Sequence, residues 1–154
     1  MSIIGLIAVV VIGGGLIAYA KYFGPQTVMQ TNTDSNCRKG NIMDGVDRQA
    51  RFTVLSTCEK AIGIVHDMTS AKQDDGDYQF NIDVQPEYKH LLNNENSKQV
   101  NGMLVVEIIP KDQSISGITI PKNNDTIQVY GAWVTDNPHG WNEIHPAWSV
   151  KVLS

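Results

Sequence analysis

The chain has 154 residues and a mass of 17.0 kDa, which suits one domain with an appendage, because domains commonly span about 100 to 150 residues. Its formal net charge is -4, 18% of its residues are charged, and its lysines and arginines are scattered along the sequence. This pattern lacks the basic surface that nucleic-acid-binding proteins present to phosphates, so we expect no nucleic-acid partner.

Residues 1–23 are typical of a membrane segment. No charged residue occurs from Ile3 to Ala20, and a helix of that length would reach about 27 Å, close to the roughly 30 Å of a bilayer core. The polar stripe that a helix of a soluble protein shows is missing. The segment therefore predicts a transmembrane helix that anchors the chain to a membrane through residues 3–20.

A cleaved signal peptide is the alternative interpretation of the same segment. Ala18, Tyr19 and Ala20 satisfy the A-x-A cleavage rule, although the basic residues that usually precede the apolar run are missing. A retained anchor is favoured, and cleavage near Ala20 would instead release a secreted protein. Both readings place the rest of the chain on the extracytoplasmic side, whereas Lys21 argues weakly for the reverse orientation.

The two cysteines, Cys37 and Cys58, agree with export. An even pair in an exported chain predicts one disulfide, which would close a loop of about 20 residues and stabilise the fold by about 3 kcal/mol in the chain-entropy model. Two free thiols are the alternative. Neither a C-x-x-C motif nor a zinc-type spacing of cysteine and histidine occurs, so a redox or zinc-finger role has no support.

Residues 24–47 are rich in Asn, Asp, Thr, Gln and Gly and predict a linker between the anchor and a folded domain at residues 48–154. The domain shows the apolar alternation of an all-β fold. Gly63 would let a long first strand bend between two faces of a barrel. We expect five strands and one short helix, with the strands at residues 51–66, 78–84, 101–110, 125–136 and 140–153 and the helix at 86–94.

These elements predict a small five-stranded barrel of the OB type, preceded by the N-terminal transmembrane or signal helix. The helix follows the second strand, where Tyr88, Leu91 and Leu92 have helical spacing. OB barrels usually place their helix between strands three and four, and residues 111–124 show no clear helical pattern.

Four motifs follow one another across residues 58–150. They are GIVHDM, DGDYQFNIDVQPEYKHLLN, LVVEIIP and IQVYGAWVTDNPHGWNEIHPAWSV, the last of which contains H-G-W-x-E-I-H-P. This order of motifs resembles a group of uncharacterised, extracytoplasmic OB-fold-like domains of archaea and bacteria. Two positions depart from that group, because Gln79 stands where a histidine is common and Ala147 stands where a valine is common. The resemblance implies the fold and the location, and it implies no activity.

The strongest candidate for chemistry is the stretch HGWNEIHPAW at residues 139–148. Residues two apart on a strand share a face, so Glu143 and His145 are neighbours, and His139 in the preceding turn could join them. Imidazole nitrogens with a carboxylate suit zinc or another first-row divalent ion, so these three residues are candidate metal ligands. The alternative is structural: a surface pair of Glu143 with His145, and a turn capped by His139.

A second candidate is recognition of a flat ligand on aromatic side chains, as OB barrels often do. The same aromatics could instead fill the core, which is their commoner role in a small barrel. Asp75 and Asp77 could bind calcium, but a hairpin turn is the favoured reading of the DDGD stretch. The candidate ligand-binding residues are Tyr78, Tyr130, Trp133 and Trp141, with Trp148 nearby.

Other catalytic motifs are missing from the sequence, including G-x-S-x-G, the P-loop and the dinucleotide fingerprint. We therefore expect a membrane-tethered, extracytoplasmic binding or interaction module, whose partner is an envelope protein or a small-molecule ligand. The competing hypothesis is a metal-dependent hydrolase centred on His139, Glu143 and His145.

Overall fold

A computed structural model of the chain describes residues 34–68 and 74–154 in full. Nearer the N-terminus it describes the backbone of two short strands, β1 (Val11–Ile12) and β2 (Gly15–Leu16), which pair antiparallel. Apart from these four residues, the predicted anchor lies outside the described residues. Within the described residues, no helix is long and apolar enough to span a bilayer.

The chain divides into two compact units, Met1–Thr31 and Asn32–Ser154. The second unit is a closed five-stranded barrel, which confirms the predicted fold class at that level. The order around the barrel is β3-β4-β5-β7-β6, and β6 pairs back with β3. All neighbouring strands are antiparallel except β5 and β7, which are parallel. The strands are β3 (Phe52–His66), β4 (Tyr78–Val84), β5 (Leu104–Ile108), β6 (Thr126–Asp136) and β7 (Asn142–Val152).

Gly63 lies where β3 is paired on both edges, with Val84 of β4 and with Ile127 of β6. A Cβ atom here would lie 2.6 Å from the backbone oxygen of Asp83. Only glycine allows the two backbones to approach so closely.

The helix predicted at 86–94 is instead two shorter pieces, a 3-10 helix at Pro86–Leu91 and the α-helix α1 at Asn94–Gln99. The break occurs because Asn93 caps α1. Its side chain accepts hydrogen bonds from the backbone N–H groups of Glu95 and Asn96, and the Asn96 side chain accepts from the Asn93 N–H. Asparagine at this position favours a new helix start over continuation.

The barrel interior is filled by aliphatic side chains from all five strands, together with the ring of Phe80 and with Leu91 from the 3-10 helix. A second apolar cluster covers the opposite face of β6, where Ala132 and Val134 point away from the interior. The two clusters follow from the period-two alternation of a strand that is buried on both faces.

Residues 34–51, which we call the lead-in segment, cover that second face, whereas the sequence predicts a linker through residue 47. Cys37 and Cys58 form the predicted disulfide, with an S–S distance of 2.05 Å. Met43 and Val46 are buried in the second cluster. The few apolar residues of this polar segment are therefore used for packing, and the compact unit begins earlier than expected, at Asn32. The rest of the predicted linker, residues 24–31, falls in the other unit, and residues 24–33 lie outside the described residues.

Candidate functional site

Two polar residues of β7 are buried on the face that points away from the barrel interior. Ile144 belongs to the interior core, whereas the flanking Glu143 and His145 are only 1% and 3% exposed. The ring of Phe52 covers His145, with 4.5 Å between the ring centroids. The strand alternation was therefore predicted correctly, but the polar face of β7 is enclosed and is not a solvated surface.

The parallel pairing of β5 with β7 brings a third polar residue to this place. Val105 pairs with Glu143, so two residues further along both strands Glu107 lies beside His145. The Nδ1 atom of His145 is 2.5 Å from Glu107 Oε2 and 3.3 Å from Glu143 Oε1. The buried imidazole thus lies against two carboxyl groups from neighbouring strands.

Asp77 completes the group from the turn that precedes β4. Its Oδ2 atom is 3.9 Å from His145 Nε2, and its side chain is buried. The carboxyl, imidazole and carboxyl donors of Asp77, His145 and Glu107 all lie within 4.8 Å of one another. Among the described residues, these three form a set with the spacing that a metal ion requires. We call Asp77, Glu107, Glu143 and His145 the acid–histidine cluster.

Several polar atoms of this cluster lack hydrogen bonds to any described group. They are both ring nitrogens of His145 and the Oε1 atom of Glu143. The short contact between His145 Nδ1 and Glu107 brings opposite charges together, but its direction does not meet the geometry of a hydrogen bond. Buried polar atoms are nearly always hydrogen-bonded, so this site is incomplete without a further partner.

The cluster alters the acidity of its members. Burial raises the pKa of Asp77 to about 7, and the negative charge of Asp75 adds to the effect. Burial also raises the pKa of Glu143. Burial alone would lower the pKa of His145, but Glu107 and Glu143 outweigh it and raise this pKa to about 10. The three carboxyl groups therefore surround one imidazole at a place poorly reached by water.

Asp77, Glu107 and His145 form part of the wall of a cavity of about 220 Å³. Other parts of the wall come from the lead-in segment and from the hairpin before β4, which contributes Asp74 and Asp75. Two arginines also line the cavity, and both are engaged by carboxylates: Arg48 by Asp47 and Arg51 by Asp136.

The three residues that the sequence predicts as metal ligands are only partly brought together. Glu143 and His145 are in contact, as described above. His139 lies on the cavity wall, but its Nδ1 atom is 2.5 Å from Asp136 Oδ2 and its ring stacks on Trp141 at 4.2 Å. Glu143 accepts a hydrogen bond from Trp141 Nε1 at 2.8 Å and is not among the residues that line the cavity.

Asp77 and Glu107 are not among the metal ligands that the sequence predicts. For Asp77 the sequence predicts a turn or a calcium loop, and the turn is present, because Asp75 Oδ1 accepts a hydrogen bond from the Asp77 N–H. Glu107 was missed. Its signal was a single charge inside the apolar strand LVVEII, which gains meaning only when β5 and β7 pair.

The predicted aromatic ligand-binding residues are not among those that line this cavity. Trp133 packs against the interior core and donates its Nε1–H to the backbone oxygen of Leu91. Tyr78 also packs against that core, and Tyr130 lies in the second cluster. Trp141 donates its Nε1–H to the carboxyl group of Glu143. Each aromatic therefore has a packing role in the described part of the chain, and binding by them stays a prediction.

No known protein family, curated protein or solved structure matches this chain. The fold and the acid–histidine cluster thus carry the functional argument by themselves.

Proposed function

We propose that this protein is an extracytoplasmic binding module that captures a small cationic ligand in the cavity beside the acid–histidine cluster. The observation that carries the proposal is His145, which is 3% exposed, lines the cavity and has no hydrogen bond from its Nε2 atom to any described group. Asp77 and Glu107 stand next to it in the same wall. Unsatisfied polar atoms that converge on a cavity are typical of a binding site.

The charge of the cavity supports a cation. Five carboxyl groups line its wall. Asp47 pairs with Arg48, and Arg51 pairs with Asp136, so the four that no arginine of the wall engages belong to Asp74, Asp75, Asp77 and Glu107. A concave surface with an excess of one charge concentrates ions of the opposite charge. The size of the cavity supports an ion or a molecule of a few atoms, because sites for larger ligands usually measure roughly 300 to 1,000 Å³.

The location and architecture of the proposal have separate support. The disulfide between Cys37 and Cys58 suggests an oxidising, extracytoplasmic environment. Tethering through residues 3–20 is the part of the proposal that follows from the apolar leader. The closed order of five strands, with one parallel pair, supports an OB-like barrel, although α1 and the 3-10 helix lie between its second and third strands.

Nuclear magnetic resonance of the full chain in mild detergent tests the binding proposal. The probes are zinc, manganese, magnesium and calcium chlorides, ammonium chloride and putrescine, with sodium acetate and sodium phosphate as anionic controls. We expect at least one cationic probe to shift the backbone amide signals of Asp77, Gln79 and Glu107, while the anions leave them unchanged. If no cation shifts these signals, or only the anions do, the proposal is wrong.

A metal-dependent hydrolase is the second candidate function, favoured by the contact of His145 with two carboxyl groups beside a cavity. A metal ion with an open position toward such a cavity can activate water. Hydrolysis of p-nitrophenyl acetate and p-nitrophenyl phosphate by the zinc-loaded chain tests this function. Turnover that Glu107→Gln abolishes would support the hydrolase. If turnover does not exceed that of the zinc-only control, the hydrolase is wrong and the binding module stays the proposal.

A further inference from the structure

We infer that the cationic ligand is a first-row divalent metal ion, held by Asp77, Glu107 and His145. The inference rests on the proposed function, and it names the ligand class of the same cavity. These donors come from the turn before β4, from β5 and from β7, so only the closed barrel assembles them. This set has one more carboxylate and one fewer histidine than the predicted ligands His139, Glu143 and His145.

The distance between two of the donors fits an ion between them. His145 Nε2 and Asp77 Oδ2 are 3.9 Å apart. This separation is too long for a hydrogen bond and about half an ångström wider than the roughly 3.4 Å between two ligands of a tetrahedral ion that binds each at about 2.1 Å. Glu107 adds a second carboxylate, and one ligand atom from each of the three residues lies within 4.8 Å of the other two.

The burial of the cluster argues for the ion independently of these distances. His145 Nε2 is buried and lacks a hydrogen bond to any described group, and it faces the carboxylate of Asp77. A divalent cation would give the ring nitrogen a partner and would lie against the neighbouring carboxyl groups of Asp77 and Glu107.

The donor types select the class of metal. Calcium and magnesium prefer ligand sets made of oxygen atoms alone, whereas imidazole suits zinc and its first-row neighbours. The two carboxylates extend this range toward manganese. Three protein ligands leave at least one position for water or a small ligand from the cavity.

Glu143 has a positioning role in this arrangement. Its Oε1 atom is 3.3 Å from His145 Nδ1, and its other oxygen accepts from Trp141 Nε1. Together with Glu107 Oε2, which is 2.5 Å from the same nitrogen, Glu143 favours the proton of the ring on Nδ1, and this leaves the lone pair of Nε2 for the ion. Metal-binding histidines commonly have such a carboxylate partner.

Metal analysis of the full chain tests the inference. The protein is stripped with EDTA, dialysed against zinc or manganese chloride, and analysed by elemental mass spectrometry and titration calorimetry. We expect one ion per chain. Asp77→Asn and Glu107→Gln keep the shape of the side chain and should each weaken binding at least about tenfold. Asp83→Asn and Glu95→Gln make the same changes at surface residues and should leave affinity unchanged.

The outcomes separate the inference from the proposed function. A folded wild-type chain that holds less than a tenth of an ion overturns the metal site, and putrescine binding in the resonance experiment would then still support the module. If neither metal nor putrescine binds, both proposals fail. If a variant does not fold, the cobalt-loaded wild type decides: absorption bands of cobalt bound to nitrogen and oxygen support the site, and the spectrum of free cobalt contradicts it.

Discussion

The backbones of β6 and β7 approach closely at Gly131. A Cβ atom there would lie 2.3 Å from Ile144 Cγ2 and 2.5 Å from the backbone oxygen of Pro146. Because backbone cannot move aside as a flexible side chain can, we expect Gly131→Ala to lower the free energy of unfolding by about 1 to 3 kcal/mol. Urea denaturation followed by circular dichroism measures it. An unchanged urea midpoint would mean that the two strands move apart to accommodate the added methyl group without loss of stability.

Asp136 links the end of β6 to the lead-in segment. Burial alone would raise its pKa, but the hydrogen bonds from Arg51 and His139 outweigh burial and lower it. A carboxyl whose pKa is lower in the folded state stabilises the fold above its unfolded pKa of about 3.9, and this contribution disappears as the pH falls through the folded pKa. We therefore expect the stability difference between wild type and Asp136→Asn to be largest near pH 7 and to shrink below about pH 4.

Urea denaturation of both proteins from pH 7 to pH 3 measures this dependence. Asp83→Asn is the control, because Asp83 forms an exposed ion pair with Lys89, and exposed pairs contribute little. A constant difference between wild type and Asp136→Asn across this range would contradict the argument.

The disulfide joins the lead-in segment to β3. It buries Met43 and Val46, and its ion pair between Arg38 and Asp112 lies partly out of water. We expect the double change of Cys37 and Cys58 to alanine to lower the free energy of unfolding by about 2 to 5 kcal/mol. Thermal unfolding of the oxidised wild type, the reduced wild type and the double variant measures it. Equal stability of all three would show that packing alone holds the segment.

Helix α1 depends on the cap at its first turn, because a helix of six residues has few hydrogen bonds of its own. Besides capping, the Asn93 amide donates to the backbone oxygen of Gly140 and to Asn142 Oδ1, so it joins α1 to β7. We expect Asn93→Ala to cost at least about 1 kcal/mol. Asn94→Ala, at the exposed neighbouring residue, should change stability little in the same denaturation experiment. Similar losses from both variants would contradict the capping role.

For the whole molecule, we predict that the barrel lies on the extracytoplasmic side of the membrane. The apolar leader and the disulfide both favour export. An alkaline phosphatase fused after Ser154 should therefore be active, because this enzyme needs an oxidising compartment for its own disulfides. A green fluorescent protein fused at the same residue, which reports on the cytoplasmic side, is the matched control. Activity of the phosphatase fusion only in lysed cells would contradict the predicted location.

The elements that the sequence predicts well are those with a local physical signal. Apolar and polar residues alternate along Tyr78–Val84 and along β6, and this pattern identifies a strand without knowledge of its neighbours, because the polarity of each side chain indicates whether it is buried. Of the helix predicted at 86–94, only the 3-10 helix Pro86–Leu91 is present, and α1 begins where the prediction ends because Asn93 caps a new helix. The disulfide followed from an even cysteine count, which needs no geometry.

The acid–histidine cluster lies beyond such local signals. His145 was identified because it stands in a dense polar motif, whereas Glu107 is a lone charge 38 residues earlier in the chain. Their contact exists because β5 and β7 run parallel and in one register. His139, which is closer in sequence, is instead held by Asp136 and Trp141.

Local sequence was enough to predict the strands, the disulfide and the barrel class, because period-two burial and cysteine pairing are properties of short segments or simple counts. Which polar residues meet, and that the lead-in segment packs against the barrel, follow from the three-dimensional arrangement of the strands. Barrel closure joins strands that are distant along the chain, and no spacing within the sequence specifies which charged side chains then become buried together.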